Sequence, residues 1–410
     1  MLLAQSHQIR EADRRMIDEH NFPGVLLMEN AGRLATEFLR ETFPTQRDWL
    51  ILAGPGNNGG DGLVMARYLH LAGHTVQVIL TREGDRYSGD AAINYRILAE
   101  LPVPLILFGE EPLETILQDF EHEPILIDAL LGTGIQAELR GPASELIRSF
   151  SKRSLQTIAI DLPSGLSADT GELINKPLKA DYTLTFQAPK VCHAVYPART
   201  YCGESVVLDI GIWPQVMDNL EIKRHWVGAE WLATQKVPRA AEGHKGSHGH
   251  VLILAGSEQY GGAAILAAEA ALYSGAGLCT VMTPASLRST LLSRLPEAIV
   301  SGQPGPVLGT AAVDPFETLL QGKAAVLIGP GMGQSPETAS LLETILPWIQ
   351  VPLVLDADAL NLLAQHPAWW NMLPDETILT PHPGEMKRLM DLEQVPHRRL
   401  EIAERLSQDR

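Results

Sequence analysis

The sequence predicts an α/β protein of two domains, each a mostly parallel sheet with helices on both faces. Three observations carry that prediction. Short apolar runs alternate with helix-length segments from about residue 48 to 212. The alternation stops between 213 and 243, where Trp226, Trp231 and scattered charges follow no period. It resumes from 244 onward. Alternation of strands and helices gives parallel sheets, which need cover on both sides. A chain of 410 residues has room for two such domains. The predicted organisation is a first domain over 1–212, a linker over 213–243 and a second domain over 244–410.

In order, "SHQIREADRRMIDE" reads as a helix with Ile9, Ala12, Met16 and Ile17 among its charges. "PGVLLMENAGRLATEFLRETF" reads as a second helix that opens on Pro23. "WLILAG" is short and apolar, so a buried strand. "DGLVMARYLHLAG" is a helix closed by Gly73, and "TVQVIL" is the next strand, which completes a βαβ unit. A helix near "SGDAAINYRILAE" follows, then strands at "PLILF" and "PILIDAL", a helix near 143–152, and strands at "TIAI" and "DYTLTF". The second domain reads "HVLILAGS", the small-residue helix "GGAAILAAEAALYSGAG", "LCTVMTP", "AAVLIGPGMG", the helix "SPETASLLETILPWI", "PLVLDADALNLL" and "ETILTPHPGEMKRLM".

Composition narrows the partners. The apolar fraction is 45% and the formal charge is -17. Phosphate backbones need clustered Lys and Arg, so nucleic acid is excluded as the main partner, and so is an anionic membrane surface. Cys192, Cys202 and Cys279 form no C-x-x-C pair and read as free thiols of a reducing compartment. The N-terminus turns charged within ten residues, and no window offers an uncharged apolar span. A cytoplasmic protein is expected.

The polar clusters of the first domain all fall at carboxyl ends of predicted strands, where ligands of open α/β sheets sit. "GPGNNGGDG" follows "LILA", "DALLGTGIQAELRGP" follows "ILI", and "DLPSG" follows "IAI". N–H groups at a helix start attract an anion, yet the turn is neither a Walker A sequence nor G-x-G-x-x-G. Asp61 reads as a helix N-cap or as a carboxylate facing a hydroxyl or cation. Asn58, Asp128, Asp161 and Ser164 bring an amide, carboxylates and a hydroxyl together. That is an all-oxygen set that suits a hard cation rather than zinc, and with few carboxylates a monovalent ion such as potassium better than calcium. Asp61 or Asp161, left over, could act as general acid or base. Asp161 also reads as a turn-forming Asx residue.

"MENAG", "NNGGDGL", "DALLGTG" and "DLPSG" together resemble the NAD(P)H-hydrate epimerase domain, of Rossmann-like fold. "KGSHGHVLILAGS", "GGAAILAAEAALYSGAGL", "IGPGMG", "LDADALNLL" and "LTPHPGEMKRL" resemble the ADP- or ATP-dependent NAD(P)H-hydrate dehydratase domain, of ribokinase-like fold. The pair resembles the bifunctional NAD(P)H-hydrate repair enzymes. The resemblance implies repair of nicotinamide cofactors that carry water on the reduced ring. One domain would interconvert the stereoisomers at C6, and the other would remove the water from the S form at the expense of nucleotide. It implies that Asn57, Asn58, Gly59, Gly60 and Asp61 hold the hydrate. Gly132, Thr133, Gly134, Ile135, Gln136, Ala137, Glu138 and Asp161 would complete the pocket, and Asn58, Asp128 and Ser164 would surround potassium. Asp161 is the expected acid–base residue. In the second domain the resemblance puts Ala263, Gly333 and His382 along the hydrate site. A homo-oligomer is the expected assembly.

The pattern departs from the family at one point. The Gly-x-Gly-Asp segment that supplies the nucleotide anion hole and an aspartate is not found between 245 and 410. The expectation is a chain that epimerises and does not dehydrate. Two other readings compete: a ribokinase-like kinase for a vitamin precursor, and a first domain that is a non-catalytic binding module.

Overall fold

The computed structural model describes residues 1–134, 139–235, 242–394 and 398–410. The chain divides into two compact units, Met1–Lys236 and Val237–Arg410.

The first unit opens with helices α1 (Ser6–Asp18) and α2 (Gly24–Thr42). The strands are β1 (Asp48–Ala53), β2 (Thr75–Leu80), β3 (Leu105–Leu107), β4 (Ile125–Ala129), β5 (Thr157–Ile160), β6 (Tyr182–Phe186) and β7 (Glu204–Leu208). They form one sheet in the order β3-β2-β1-β4-β5-β6-β7. Every pairing in it is parallel. Side chains alternate across β1. Trp49, Ile51 and Ala53 enter the core on the α2 face, while Leu50 and Leu52 pack on the opposite face with Leu146 and Phe150. All six residues of β1 are buried, as a central strand of a covered sheet requires.

The strand order reverses at β1. Chain that leaves β1 turns toward β2, and chain that leaves β4 turns toward β5. Loops diverging from two adjacent strands leave a crevice between them. Helix α3 (Asn57–Leu71) starts in that crevice.

The expected linker begins later than residue 213. Pro214–Asp218 is a helix, and Val216, Met217 and Ile222 are buried in the first unit's core. Leu3 donates its backbone N–H to the Arg224 carbonyl at 2.9 Å. Apolar burial thus ties the start of this stretch to the first unit.

The second unit has strands β8 (His250–Leu254), β9 (Leu278–Pro284), β10 (Ile299–Gln303), β11 (Ala325–Ile328), β12 (Leu353–Leu355) and β13 (Thr377–Leu379). Their order is β10-β9-β8-β11-β12-β13, again wholly parallel. The predicted strands of this unit are present, and β10 is one the sequence pattern does not announce. Among the described residues no helix is long and apolar enough to cross a membrane. The three cysteines are free and buried.

Candidate active site in the first unit

The glycine-rich turn is shorter than its sequence suggests. Helix α3 begins at Asn57 with Gly56 as N-cap, so "NNGGD" is its first turns rather than a loop. Asp61 therefore lies inside the helix and does not cap it. The glycines allow this by close packing. A Cβ on Gly59 would collide with the Gly54 carbonyl, and one on Gly54 would collide with the Leu130 carbonyl. The helix start is thus pressed onto the ends of β1 and β4.

A cleft of about 690 Å³ opens over these ends. Asn57, Asn58 and Asp61 line it from α3, Gly132, Thr133 and Gly134 from the loop after β4, and Asp161 from the end of β5. Gly59 and Gly60 are buried behind them. The expected pocket residues Ile135, Gln136, Ala137 and Glu138 lie outside the described residues.

Asp128 and Ser164 lie fully buried. Ser164 donates its Oγ hydrogen to Asp128 Oδ1 at 2.6 Å and its N–H to Oδ2 at 2.8 Å. Leu131 N–H donates to Ser164 Oγ at 3.0 Å. Burial raises the Asp128 carboxyl above the usual range, against the pull of the Ser164 hydrogen bonds. Asn58 is 8% exposed, and among the described residues neither its Oδ1 nor its Nδ2 has a hydrogen-bond partner. A buried carboxamide left unsatisfied costs about 1–3 kcal/mol, so this one points to a ligand.

Asp161 has a more elaborate setting than a turn residue. Its φ is +65°, in the left-handed region. Lys190, 1% exposed, donates from Nζ to Asp161 Oδ1 at 2.6 Å, to Thr185 Oγ1 at 2.8 Å and to the Phe186 carbonyl at 3.1 Å. All three ammonium hydrogens are thereby used. Thr185 Oγ1 donates to the same Asp161 Oδ1 at 3.2 Å. The other oxygen, Oδ2, faces the cleft floor. A Cβ on Gly132 would stand 3.5 Å from Asp161 Oδ2 and 3.3 Å from Asn58 Cβ. The free carboxylate oxygen and the unpartnered carboxamide thus converge over Gly132.

Two further carboxyls share this space. Burial, with the negative charges of Asp161 and Asp13, raises Asp61 well above the carboxylate range. Asp13 of α1 lines the same cleft, and burial pushes it up to about 6 against the positive charge of Lys190. Sequence reasoning missed Asp13, Thr185, Lys190 and His193. The available signal was a lysine set among apolar residues in "FQAPKVCHAV", where a charge needs a partner. Among the described residues no cluster of three His, Cys, Asp or Glu side chains could hold a metal. The oxygen set here is mixed, with one amide, one hydroxyl and one carboxylate.

In the second unit, Ala263 sits in the first turn of the helix Gly261–Tyr273, and Gly333 follows β11 at φ +80°. A Cβ on Gly331 would lie 2.8 Å from the Ala263 Cβ, so those two segments touch. Gly333 N–H donates to Asp358 Oδ2 at 2.9 Å. His382 is a helix N-cap. Its Nδ1 accepts from Gly384 N–H at 3.0 Å, and its ring pairs with Glu385 at 3.2 Å. A cavity of about 1040 Å³ in this unit borders Thr380 and Pro381 but neither Ala263 nor Gly333.

Comparison with known proteins agrees with this division. Residues 25–192 match the family described as "YjeF-related protein N-terminus", and residues 251–410 match the family described as "NAD(P)H-hydrate dehydratase". A bifunctional NAD(P)H-hydrate repair enzyme of Moorella thermoacetica is 37% identical over 100% of this chain and 79% of its own length. The corresponding enzyme of Coxiella burnetii is 37% identical over 95% of this chain and 76% of its own length. That of Salinibacter ruber is 35% identical, over 93% and 74%.

Proposed function

This chain belongs to the family of bifunctional NAD(P)H-hydrate repair enzymes, and from that premise we propose that the cleft over Gly132 holds the hydrated nicotinamide ring for epimerisation at C6. The chain carries both domains of the family, for epimerisation and for dehydration. The observation that supports this location is the convergence of Asp161 Oδ2 and the unpartnered Asn58 carboxamide.

The hydrated carbon is a hemiaminal, with a hydroxyl on C6 beside the ring nitrogen N1. Its configuration can invert if the hydroxyl proton is removed and the C6–N1 bond opens and recloses. Asp161 Oδ2 is the base in this reading. Its other oxygen is tied to Lys190 and Thr185, so one lone-pair face alone is offered to the ring. The α3 N-terminus and the Thr133 and Gly134 segment line the same cleft and would hold the cofactor's phosphates.

The residues also fit a potassium ion. Asn58 has an amide oxygen in want of a partner and stands against Gly132. The residue before that glycine, Leu131, donates its N–H to the Ser164 that holds Asp128. Asn58, Asp128 and Ser164 would hold the ion, which supplies positive charge toward substrate oxygens. For the second unit we propose, against the expectation drawn from the missing Gly-x-Gly-Asp segment, use of ADP or ATP with the S hydrate. The match of residues 251–410 to the dehydratase family supports it, and the Ala263–Gly331 contact would border that site.

Interconversion of the R and S hydrates, followed by chromatography, tests the reading. Asp161→Asn is expected to lose at least a hundredfold in rate, and replacing potassium by tetramethylammonium at least tenfold. A wild-type rate for Asp161→Asn would remove the proposed base. An unchanged rate without potassium would remove the ion.

A further inference from the structure

The arrangement around Asp161 leaves a question that one base does not answer. Opening the C6–N1 bond needs a proton delivered to N1 as well as one taken from the hydroxyl. Lys190 is no donor for that step. Its ammonium is 1% exposed, and all three hydrogens are held by Asp161, Thr185 and Phe186. His193 is no donor either. It is fully buried, and both ring nitrogens are committed, one to the Lys190 N–H and one to the Asp161 carbonyl.

Asp61 differs from both. It lines the cleft from the second turn of α3, and its carboxyl has neither hydrogen-bond nor ion-pair partner among the described residues. The groups that face it are Asp13 from α1, Asp161 from the end of β5 and Lys190, with Arg10 and Asp90 also on the cleft wall. A carboxyl set among other carboxyls, with the cation buried beside it, Lys190, already spent on Asp161, keeps its proton. Burial and the neighbouring acids act in that same direction on Asp61.

We propose that Asp61 is the general acid of the epimerase site and that Lys190 is the positioning residue whose ion pair holds Asp161 as the opposing base. The inference rests on the reading of the cleft given above. Asp161 Oδ2 takes the C6 hydroxyl proton as that oxygen becomes a carbonyl. The C6–N1 electron pair leaves with N1, and the Asp61 proton is delivered to it. Rotation about the C5–C6 bond turns the other face of the aldehyde toward N1. Reclosure returns one proton to Asp61 and the other from Asp161 to the new hydroxyl. No proton or electron is gained or lost, and no co-reactant is needed.

The test is the rate of R-to-S conversion by the full chain between pH 5 and 9, for Asp61→Asn, Asp61→Glu, Lys190→Met and Thr185→Val. Asp61→Asn is expected to lower kcat at least a hundredfold with KM within about threefold, and Asp61→Glu to recover at least tenfold of that loss. Lys190→Met and, by a smaller amount, Thr185→Val are expected to move the acid limb of the rate profile to higher pH, because taking a cation or a hydroxyl donor away from a carboxylate favours the protonated form. Loss of packing alone would lower the rate without moving that limb. Should Lys190→Met fail to fold, Lys190→Gln, which keeps a polar donor beside Asp161 but carries no charge, takes the measurement in its place. Asp61→Asn turning over within threefold of wild type would overturn the acid assignment. An unmoved acid limb in Lys190→Met, or in Lys190→Gln where that replaces it, would overturn the role of Lys190. If Asp161→Asn is also fully active, the cleft itself is misassigned. If Asp161→Asn is inactive while Asp61→Asn is active, this inference alone falls.

Discussion

The backbone N–H of Lys190 donates to Nδ1 of His193 at 2.9 Å, and the same ring's Nε2 lies 2.9 Å from the Asp161 carbonyl. The first bond makes Nδ1 an acceptor, so Nε2 carries the hydrogen and the imidazole is neutral. His193 is thus a strut between the two members of the Lys190–Asp161 ion pair. Burial, aided by the charge of Lys190, depresses its pKa to about 4.

That depression sets a pH dependence. A histidine that resists protonation in the folded state contributes stability above its unfolded pKa of about 6.5. The contribution disappears as pH falls toward 4, because the unfolded chain then binds the proton more readily. It amounts to roughly 3 kcal/mol. Thermal unfolding between pH 4 and 7 is expected to show a steeper acid loss in the parent than in His193→Gln. Parallel curves would contradict this. Asp13 works in the opposite sense. Raised to about 6, it contributes stability at low pH that is lost as pH rises to 6, so the comparison of variants, not the parent curve alone, isolates the histidine.

Ser164→Ala removes the 2.6 Å bond to the fully buried Asp128. One carboxylate oxygen then loses its strongest donor, a change of about 1–3 kcal/mol in stability. Urea unfolding checks the magnitude. The same variant is expected to weaken any stimulation by potassium, measured as the salt concentration for half-maximal rate.

Gly59→Ala puts a Cβ into the Gly54 carbonyl. Both partners are backbone, so α3 must shift away from β1, at about 1–3 kcal/mol. Because Asn58 precedes it, the epimerisation rate is expected to fall in step. Gly56→Ala, where a Cβ meets nothing within 4 Å, is the matched control.

His382→Ala deletes an N-cap acceptor of the helix Pro383–Leu389. The expected loss is about 1 kcal/mol in the second unit. His382→Asn, which can cap in the same way, is expected to restore it.

The sequence exposes some of this arrangement and hides the rest for definite reasons. β1, β4 and β5 are legible because each is an apolar run broken at once by Gly, Asp or Pro. β10 is not, because "IVSGQ" ends in Ser301, Gly302 and Gln303 and pairs with β9 alone at the sheet edge. The start of α3 is hidden because Asn-Asn-Gly-Gly favours a turn by propensity. Contacts of the glycines with Gly54 and Ala129 override that preference. Asn58, Asp61, Asp128, Asp161 and Ser164 announce themselves as polar clusters at strand ends. Lys190 does not, since it stands 29 residues from Asp161 in sequence and meets it only once β5 and β6 lie side by side.

The left-handed backbone at Asp161 also bears on how such a protein can change over generations. Few side chains accept that conformation, chiefly glycine, asparagine and aspartate. Of these, aspartate alone can exchange a proton. Asparagine, which that backbone also accepts, is one codon position away and, on the role proposed for Asp161, would remove the base while leaving the cleft's outline in place. A lineage could therefore pass from catalyst to mere receptor in a single inherited step, with little trace in its shape.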